Sequence, residues 1–273
     1  MRILACFKVT PDFEALREAD WVAGAAHGVE ARFVRRILNC FDESALELAL
    51  RLSDALAGGG AAVGLSALSV GGREAEPYLQ TLLALGYEHA ARVQAEADLD
   101  FAPAVIAALI ASYVRRVDHS DLLLLGSQSG PGDSGTVPFL AAETLGWPCL
   151  TEVIEVEALT AGRLRVACMA DDGLLRLTLR PPCVLAVGNA VVSRLRVPTL
   201  KDRLARRNQR SDVFQATDLG VDIAAELDRG ACGLVGFEAI QRARQAAVIG
   251  GETPHEKAQV LFDSHLKSIL EKL

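Results

Sequence analysis

Over the first 150 residues, short apolar runs alternate with longer stretches in which apolar positions recur every three or four residues. Ile3–Lys8, Ala62–Ser69, Ala91–Gln94 and Leu122–Leu125 have the length and composition of strands. Leu122–Leu125 is wholly apolar, as expected of a strand covered on both faces. Between these runs, Asp42–Leu56 places apolar residues at 45, 46, 49, 50, 52 and 56, the stripe of an amphipathic helix, and Gly58-Gly59-Gly60 closes it. Glu74–Leu85 repeats the pattern and stops at Gly86. Helices are also expected over Pro103–Val117 and over 137–145, the latter ending at Gly146. Strands alternating with helices of about 10–15 residues predict a parallel sheet with helices on both faces. In such a sheet ligands bind beyond the carboxyl ends of the strands.

After residue 150 the pattern changes. Leu150–Val156, Leu164–Ala170, Leu174–Leu179 and Pro182–Val187 read as strands joined by short turns, and Asp171-Asp172-Gly173 is a hairpin signal. Together they predict an antiparallel addition at the edge of the sheet. Residues 188–217 lose apolar periodicity and become basic. Phe237–Val248 and Glu252–Leu273 read as polar helices broken by Gly250-Gly251, an arm outside the main core. The expected organisation is an α/β domain over 1–225 and a C-terminal arm over 226–273, with no internal repeat.

Composition narrows the function. A chain of 273 residues that is 51% hydrophobic can bury a large core, which excludes disorder. No apolar run reaches the roughly 18 residues of a membrane span, so no direct membrane insertion is expected. Met1–Phe7 reads as a strand and not as a signal peptide. The net charge of −7 argues against a nucleic-acid partner. The six cysteines at 6, 40, 149, 168, 183 and 232 form no C-x-x-C pair, so neither a zinc site nor a redox dithiol is expected. They read as small buried hydrophobes in a reducing, cytoplasmic setting. The five histidines are scattered, and no catalytic nucleophile–base set or metal ligand set emerges.

The candidate chemistry lies in the glycine-rich loop from Gly126 to Gly135, between the Leu122–Leu125 strand and the 137–145 helix. A strand, a glycine loop and a helix start present unpaired backbone N–H groups to a phosphate. Gly130, Gly132 and Gly135 also satisfy G-x-G-x-x-G, which raises an NAD-dependent Rossmann dehydrogenase as one alternative. That fingerprint belongs at the first strand–helix turn, whereas this loop follows about the fourth strand. No G-x-x-x-x-G-K-[ST] sequence occurs.

Five motifs fall in register with one family. Met1–Asp12 carries an opening strand, a lysine and Pro-Asp. Asn39-Cys40-Phe41-Asp42-Glu43 stands where Asn-Pro-Phe-Asp-Glu starts a helix. Ala84-Leu85-Gly86 matches Ala-Met-Gly. Gly126-Ser127-Gln128, Gly132-Asp133-Ser134-Gly135 and Ala142–Pro148 form the longest stretch, and Asp218–Asp222 follows. Over residues 1 to about 225 the chain resembles the beta subunits of electron-transfer flavoproteins. The resemblance implies a doubly wound, flavodoxin-like sheet with antiparallel edge strands and a C-terminal helical arm. It also implies a heterodimer with an alpha subunit and an FAD held mostly by that subunit. This chain would bury an AMP or, as in electron-bifurcating relatives, a second FAD. The chain would then be an electron carrier between a flavin dehydrogenase and a quinone oxidoreductase or other acceptor, without catalytic residues of its own. By the same resemblance the nucleotide is held by Cys6, by Asn39, Cys40, Phe41 and Asp42, and by Val70. The remaining contacts come from Gly126, Gln128, Gly132, Asp133, Ser134, Gly135, Thr136 and Val137. Asn39 and Asp42 suit a base edge or ribose, although Asp42 also reads as a plain helix N-cap.

The sequence departs from the family pattern at four places. Cys40 replaces a proline, and Ser129-Gly130-Pro131-Gly132 replaces Ala-Ile-Asp-Gly. Met169 stands where a glutamate precedes the Asp-Gly-Gly turn and tethers the flavin domain. Of the family's partner-docking pattern, Asn-Glu-Pro-Arg-aromatic-x-Ser/Thr-Leu-Pro, the segment 188–210 keeps Arg196, Thr199 and Leu200 but not the Asn-Glu-Pro triplet, the aromatic or the final proline; Arg196 and Leu200 are the partner contacts that the resemblance implies. Leu200 is accordingly expected to insert into the partner dehydrogenase, the alternative being that it packs on its own domain. The basic residues from Arg194 to Arg210 read either as a solvated face or as steering toward an acidic partner. The remaining alternative is a stand-alone adenine-nucleotide-binding protein of the universal-stress type, against which the 150–273 extension argues.

Overall fold

The computed structural model describes residues 1–17, 20, 31, 33–95, 99–130, 135–230 and 247–271. Its strands are β1 (Arg2–Phe7), β2 (Val9–Pro11), β3 (Arg36–Leu38), β4 (Gly64–Val70), β5 (His89–Gln94), β6 (Leu122–Gly126), β7 (Cys149–Ala158), β8 (Leu164–Ala170), β9 (Gly173–Leu179), β10 (Cys183–Val187) and β11 (Asp212–Gln215). The helices are α1 (Cys40–Gly58), α2 (Glu76–Leu85), α3 (Pro103–Tyr113), α4 (Val137–Leu145), α5 (Leu200–Ala205), α6 (Ile223–Gly230), α7 (Pro254–Leu261) and α8 (Lys267–Leu270).

Nine strands form one sheet in the order β11-β5-β4-β1-β6-β10-β7-β8-β9. From β11 to β7 every pairing is parallel, with Arg2 opposite Gly64 and Ile3 opposite Leu122 at the centre. The β7–β8 and β8–β9 pairings are antiparallel. Counted along the chain, β1, β4, β5, β6 and β10 lie in the order 3-2-1-4-5. The winding reverses once, between β1 and β6, which is the switch point of the doubly wound plan.

Side-chain alternation divides the apolar residues between the two faces of this sheet. Leu122 and Leu124 join Ile3, Ala5 and Phe7 under α1 and α2. Leu123 and Leu125 join Leu4 and Cys6 under α3 and α4. The apolar stripe predicted for α1 is buried at Ala45, Leu46, Ala49, Leu50 and Leu52.

Two expectations are revised, and one element is new. Pro182–Val187 does not belong to the antiparallel addition. As β10 it lies between β6 and β7, is parallel to both, and is buried along its whole length. The basic stretch 188–217, which shows no periodicity, contains α5 and a seventh parallel strand, β11, laid against β5. A short antiparallel pair, β2 with β3, follows β1. The chain divides into two compact units, Met1–Phe237 and Glu238–Leu273. Within the second, Thr253 and Glu256 form a capping box that starts α7, and a wide turn at Phe262–Leu266 leads into α8. The helix expected over Phe237–Val248 falls, up to residue 246, outside the described residues.

Candidate functional site

At the switch point one carboxylate fastens two strand ends together. Asp42 is the third residue of α1 and is buried. Its Oδ2 accepts the backbone N–H of Lys8 at 2.8 Å, just past β1. Its Oδ1 accepts the N–H of Gly126 at 2.7 Å, at the end of β6. Asn39, also buried, caps α1 with its backbone, and its N–H donates to the carbonyl of Lys8 at 3.0 Å. Its side-chain amide donates instead to the carbonyl of Gln128 at 2.8 Å. Four hydrogen bonds thus hold the end of β1, the start of α1 and the first residues after β6 in one clasp. The N-cap is therefore Asn39 and not Asp42. Burial pushes the Asp42 carboxyl up to about 6, against the opposing pull of the Lys8 and Gly126 amides.

Gly126 is required by this clasp. A Cβ there would lie 2.5 Å from Asp42 Oδ1, 2.8 Å from Phe41 Cβ and 2.9 Å from Asp42 N. Across the loop, Gly135 has φ +56°, a left-handed conformation that leads into α4 and that other residues adopt only with strain. Thr136 then caps α4 without a side-chain hydrogen bond, and a proline sits in the first turn. A helix start of this kind carries partial positive charge on its first N–H groups.

The structure thus joins Asn39, Asp42, Gly126 and Gln128 by hydrogen bonds and packs Phe41 against Gly126. Cys6 lies buried one residue before the end of β1, where burial, with the charge of Asp42, pushes its thiol well up and keeps it un-ionised. Val70 ends β4, with the neighbouring Ser69 hydroxyl donating to the Phe7 carbonyl at 2.9 Å. Cys40 is exposed. Gly135, Thr136 and Val137 stand at the start of α4. Gly132, Asp133 and Ser134 lie outside the described residues. Two residues outside the expected contact set also lie at this rim. Lys8 reaches Asp100 Oδ1 at 2.9 Å from the same rim, and the Phe13 ring lies beside Gly130, 3.5 Å from where its Cβ would be.

The model of the electron transfer flavoprotein domain matches residues 28–219. The chain belongs to the electron transfer flavoprotein family, among its beta subunits. A protein of Escherichia coli K12, YgcR, provisionally named an electron transfer flavoprotein subunit, is 34% identical over 99% of this chain and 100% of its own length. The electron transfer flavoprotein beta subunit of Bradyrhizobium diazoefficiens is 28% identical over 76% of this chain and 80% of its own. That of Bos taurus is 29% identical over 73% and 76%.

Within this flavoprotein subunit the segment after β10 has two sides. Arg196 faces inward: its Nε and Nη2 donate to Glu47 at 2.9–3.1 Å, and its Nη1 donates to Asp54 at 2.8 Å. Leu200 faces outward as the first residue of α5, 73% exposed, and Val197 is 81% exposed. Thr199 and Asp202 form the capping box that starts α5. Met169 is exposed and pairs with Leu174 across the β8–β9 hairpin.

Proposed function

We propose that this chain is the beta subunit of a heterodimeric electron-transfer flavoprotein that holds AMP at the rim of β1, β4 and β6. FAD is held chiefly by the alpha subunit and covered by this one. Electrons pass from a flavin dehydrogenase to a quinone oxidoreductase or another acceptor; the bound flavin supplies that redox chemistry. The observation that carries the nucleotide reading is the Asp42–Gly126 clasp beside the uncapped start of α4. A carboxylate facing a phosphate would repel it, but both oxygens of Asp42 are already committed to backbone amides. Gly126 adds no side chain, and the first turn of α4 offers the partial positive charge a phosphate needs. One such helix start suits the single phosphate of AMP. A second FAD at the same rim is the alternative.

The protein's own residues have three tasks in this reading. Asn39 and Asp42 hold the rim open, Gly135 to Val137 meet the phosphate, and Leu200 with Val197 docks the dehydrogenase. The C-terminal arm suits contact with the alpha subunit, since Val260, Leu261, Phe262, Leu266, Ile269 and Leu270 are exposed along it. Among the described residues no helix is long and apolar enough to cross a membrane; a cytoplasmic location goes with this reading. Native mass spectrometry of the protein purified from its own cells tests the reading. It predicts a second subunit of similar size and one AMP per complex, whereas a monodisperse monomer without nucleotide would reject it.

A further inference from the structure

The segment that presents Leu200 is fastened to the helix that also builds the nucleotide rim. Glu43, Glu47 and Asp54 are spaced four and seven residues apart on α1, which puts them on one face. Glu47 Oε2 accepts the backbone N–H of Arg196 at 3.0 Å as well as its Nε, while Oε1 accepts Nη2. Glu43 accepts the backbone N–H of Leu195 at 3.1 Å, and the Arg194 guanidinium lies 3.9 Å from its other oxygen. Asp54 takes the remaining arm of Arg196. Three consecutive residues are thus laid along an acidic helix face, although about 150 residues of chain separate them from it.

Glu47 is the centre of this arrangement. Its carboxylate is only 4% exposed, and Arg51 is its other cationic neighbour. Burial pushes its carboxyl up, but the donors from Arg196 and Arg51 outweigh that and leave it below the ordinary value. A buried carboxylate must be paired, and an arginine fork gripped from two nitrogens fixes direction as well as distance. The next residue, Val197, is exposed, and Leu200 follows three positions later.

We infer that Glu47 is the positioning residue of the partner-docking segment, holding Arg196 so that Val197 and Leu200 stand out from the α1 surface. Arg196 then acts as the root of that segment and not as a contact of its own. The docking half rests on the function proposed above; the clamp half does not.

Hydrogen exchange of the purified two-subunit complex tests the clamp without any electron donor. In Glu47→Gln the amide of Arg196 should exchange about tenfold faster or more, as expected from losing one charge-assisted hydrogen bond, and that of Leu195, which Glu43 holds, should follow as the segment loosens. Trypsin should cut after Arg194 and Arg196 correspondingly faster, while nucleotide content stays at the wild-type level. Arg51→Gln, which removes the other arginine from the same carboxylate, should leave both amides protected. If Glu47→Gln does not fold, Arg196→Lys, which keeps the charge and loses the fork, should show the same local exposure. Wild-type protection of the Leu195 and Arg196 amides in either folded variant would overturn the proposal. Failure of the docking reading would show separately, as unchanged electron transfer in Leu200→Ala with the clamp intact.

Discussion

Gly126→Ala should damage the protein more than any other single methyl group added at the rim. The new Cβ would fall 2.5 Å from Asp42 Oδ1, well inside contact distance, and against backbone as well as side chain. Asp42 cannot swing away freely, because its other oxygen holds Lys8 N and its surroundings are buried. Overpacking of this kind costs about 1–3 kcal/mol. Losing the Gly126 N–H bond to a buried carboxylate costs about 1.5–3 kcal/mol more. The two overlap, so a loss of about 3–4 kcal/mol is expected. For a unit of this size each kcal/mol shifts the melting temperature by about 2–4 °C, which gives a drop of roughly 10 °C. Nucleotide stabilises the folded form by mass action, and losing it would deepen the drop. Calorimetry of the two-subunit complex, with nucleotide content measured on the same sample, reads both effects. Gly58→Ala is the control, because a Cβ at that end of α1 meets nothing within 4 Å. Should Gly126→Ala melt within about 2 °C of wild type with its nucleotide intact, the clasp is not what holds the rim.

Other perturbations separate the remaining parts. The Asp42 carboxyl titrates near 6 in the folded protein against 3.8 in the unfolded chain, so the fold holds that proton more tightly. The resulting stabilisation is complete below about pH 4 and is lost as the pH rises through about 6, amounting to up to about 3 kcal/mol. The stability of wild type relative to Asp42→Asn, followed by urea unfolding, should therefore fall from pH 4 to pH 7; a flat difference would contradict the burial argument. Gly135→Val puts a branched side chain at φ +56° beside Gln128 and should strip the nucleotide, as read by extraction and chromatography, while leaving the sheet folded. Leu200→Ala should weaken docking to the dehydrogenase about 30-fold, the equivalent of about 2 kcal/mol, with melting temperature and flavin content unchanged. Neutralising Arg203, Arg206 and Arg207 should slow association at low salt and matter little at high salt, where exposed charges are screened.

The alternating apolar pattern was enough to place β1, β4, β5 and β6 and the helices between them, because each buries a continuous stripe or run. Pro182–Val187 reads as part of the antiparallel addition because it follows a meander in sequence; its five consecutive apolar residues are the sign of an interior parallel strand covered on both faces. β11 carries no such sign. Its four residues form a strand because the open edge of β5 offers unpaired backbone groups. At the rim, the motif around Asn39 and Asp42 was visible, but its meaning was not. The amides that Asp42 holds lie 34 and 84 residues away, so a base-reading role and a structural one looked alike in the sequence. Glu47 was invisible for the same reason: a lone glutamate in an amphipathic helix reads as solvated until Arg196, 149 residues on, folds over it.

The most direct test is the absorption spectrum and extracted nucleotide of the complex isolated from its own cells by a tag on this chain. The account predicts a flavin spectrum, FAD and AMP released in equal amounts on denaturation, and a second subunit in the same fraction. A colourless single chain, or one that releases NAD, would contradict it.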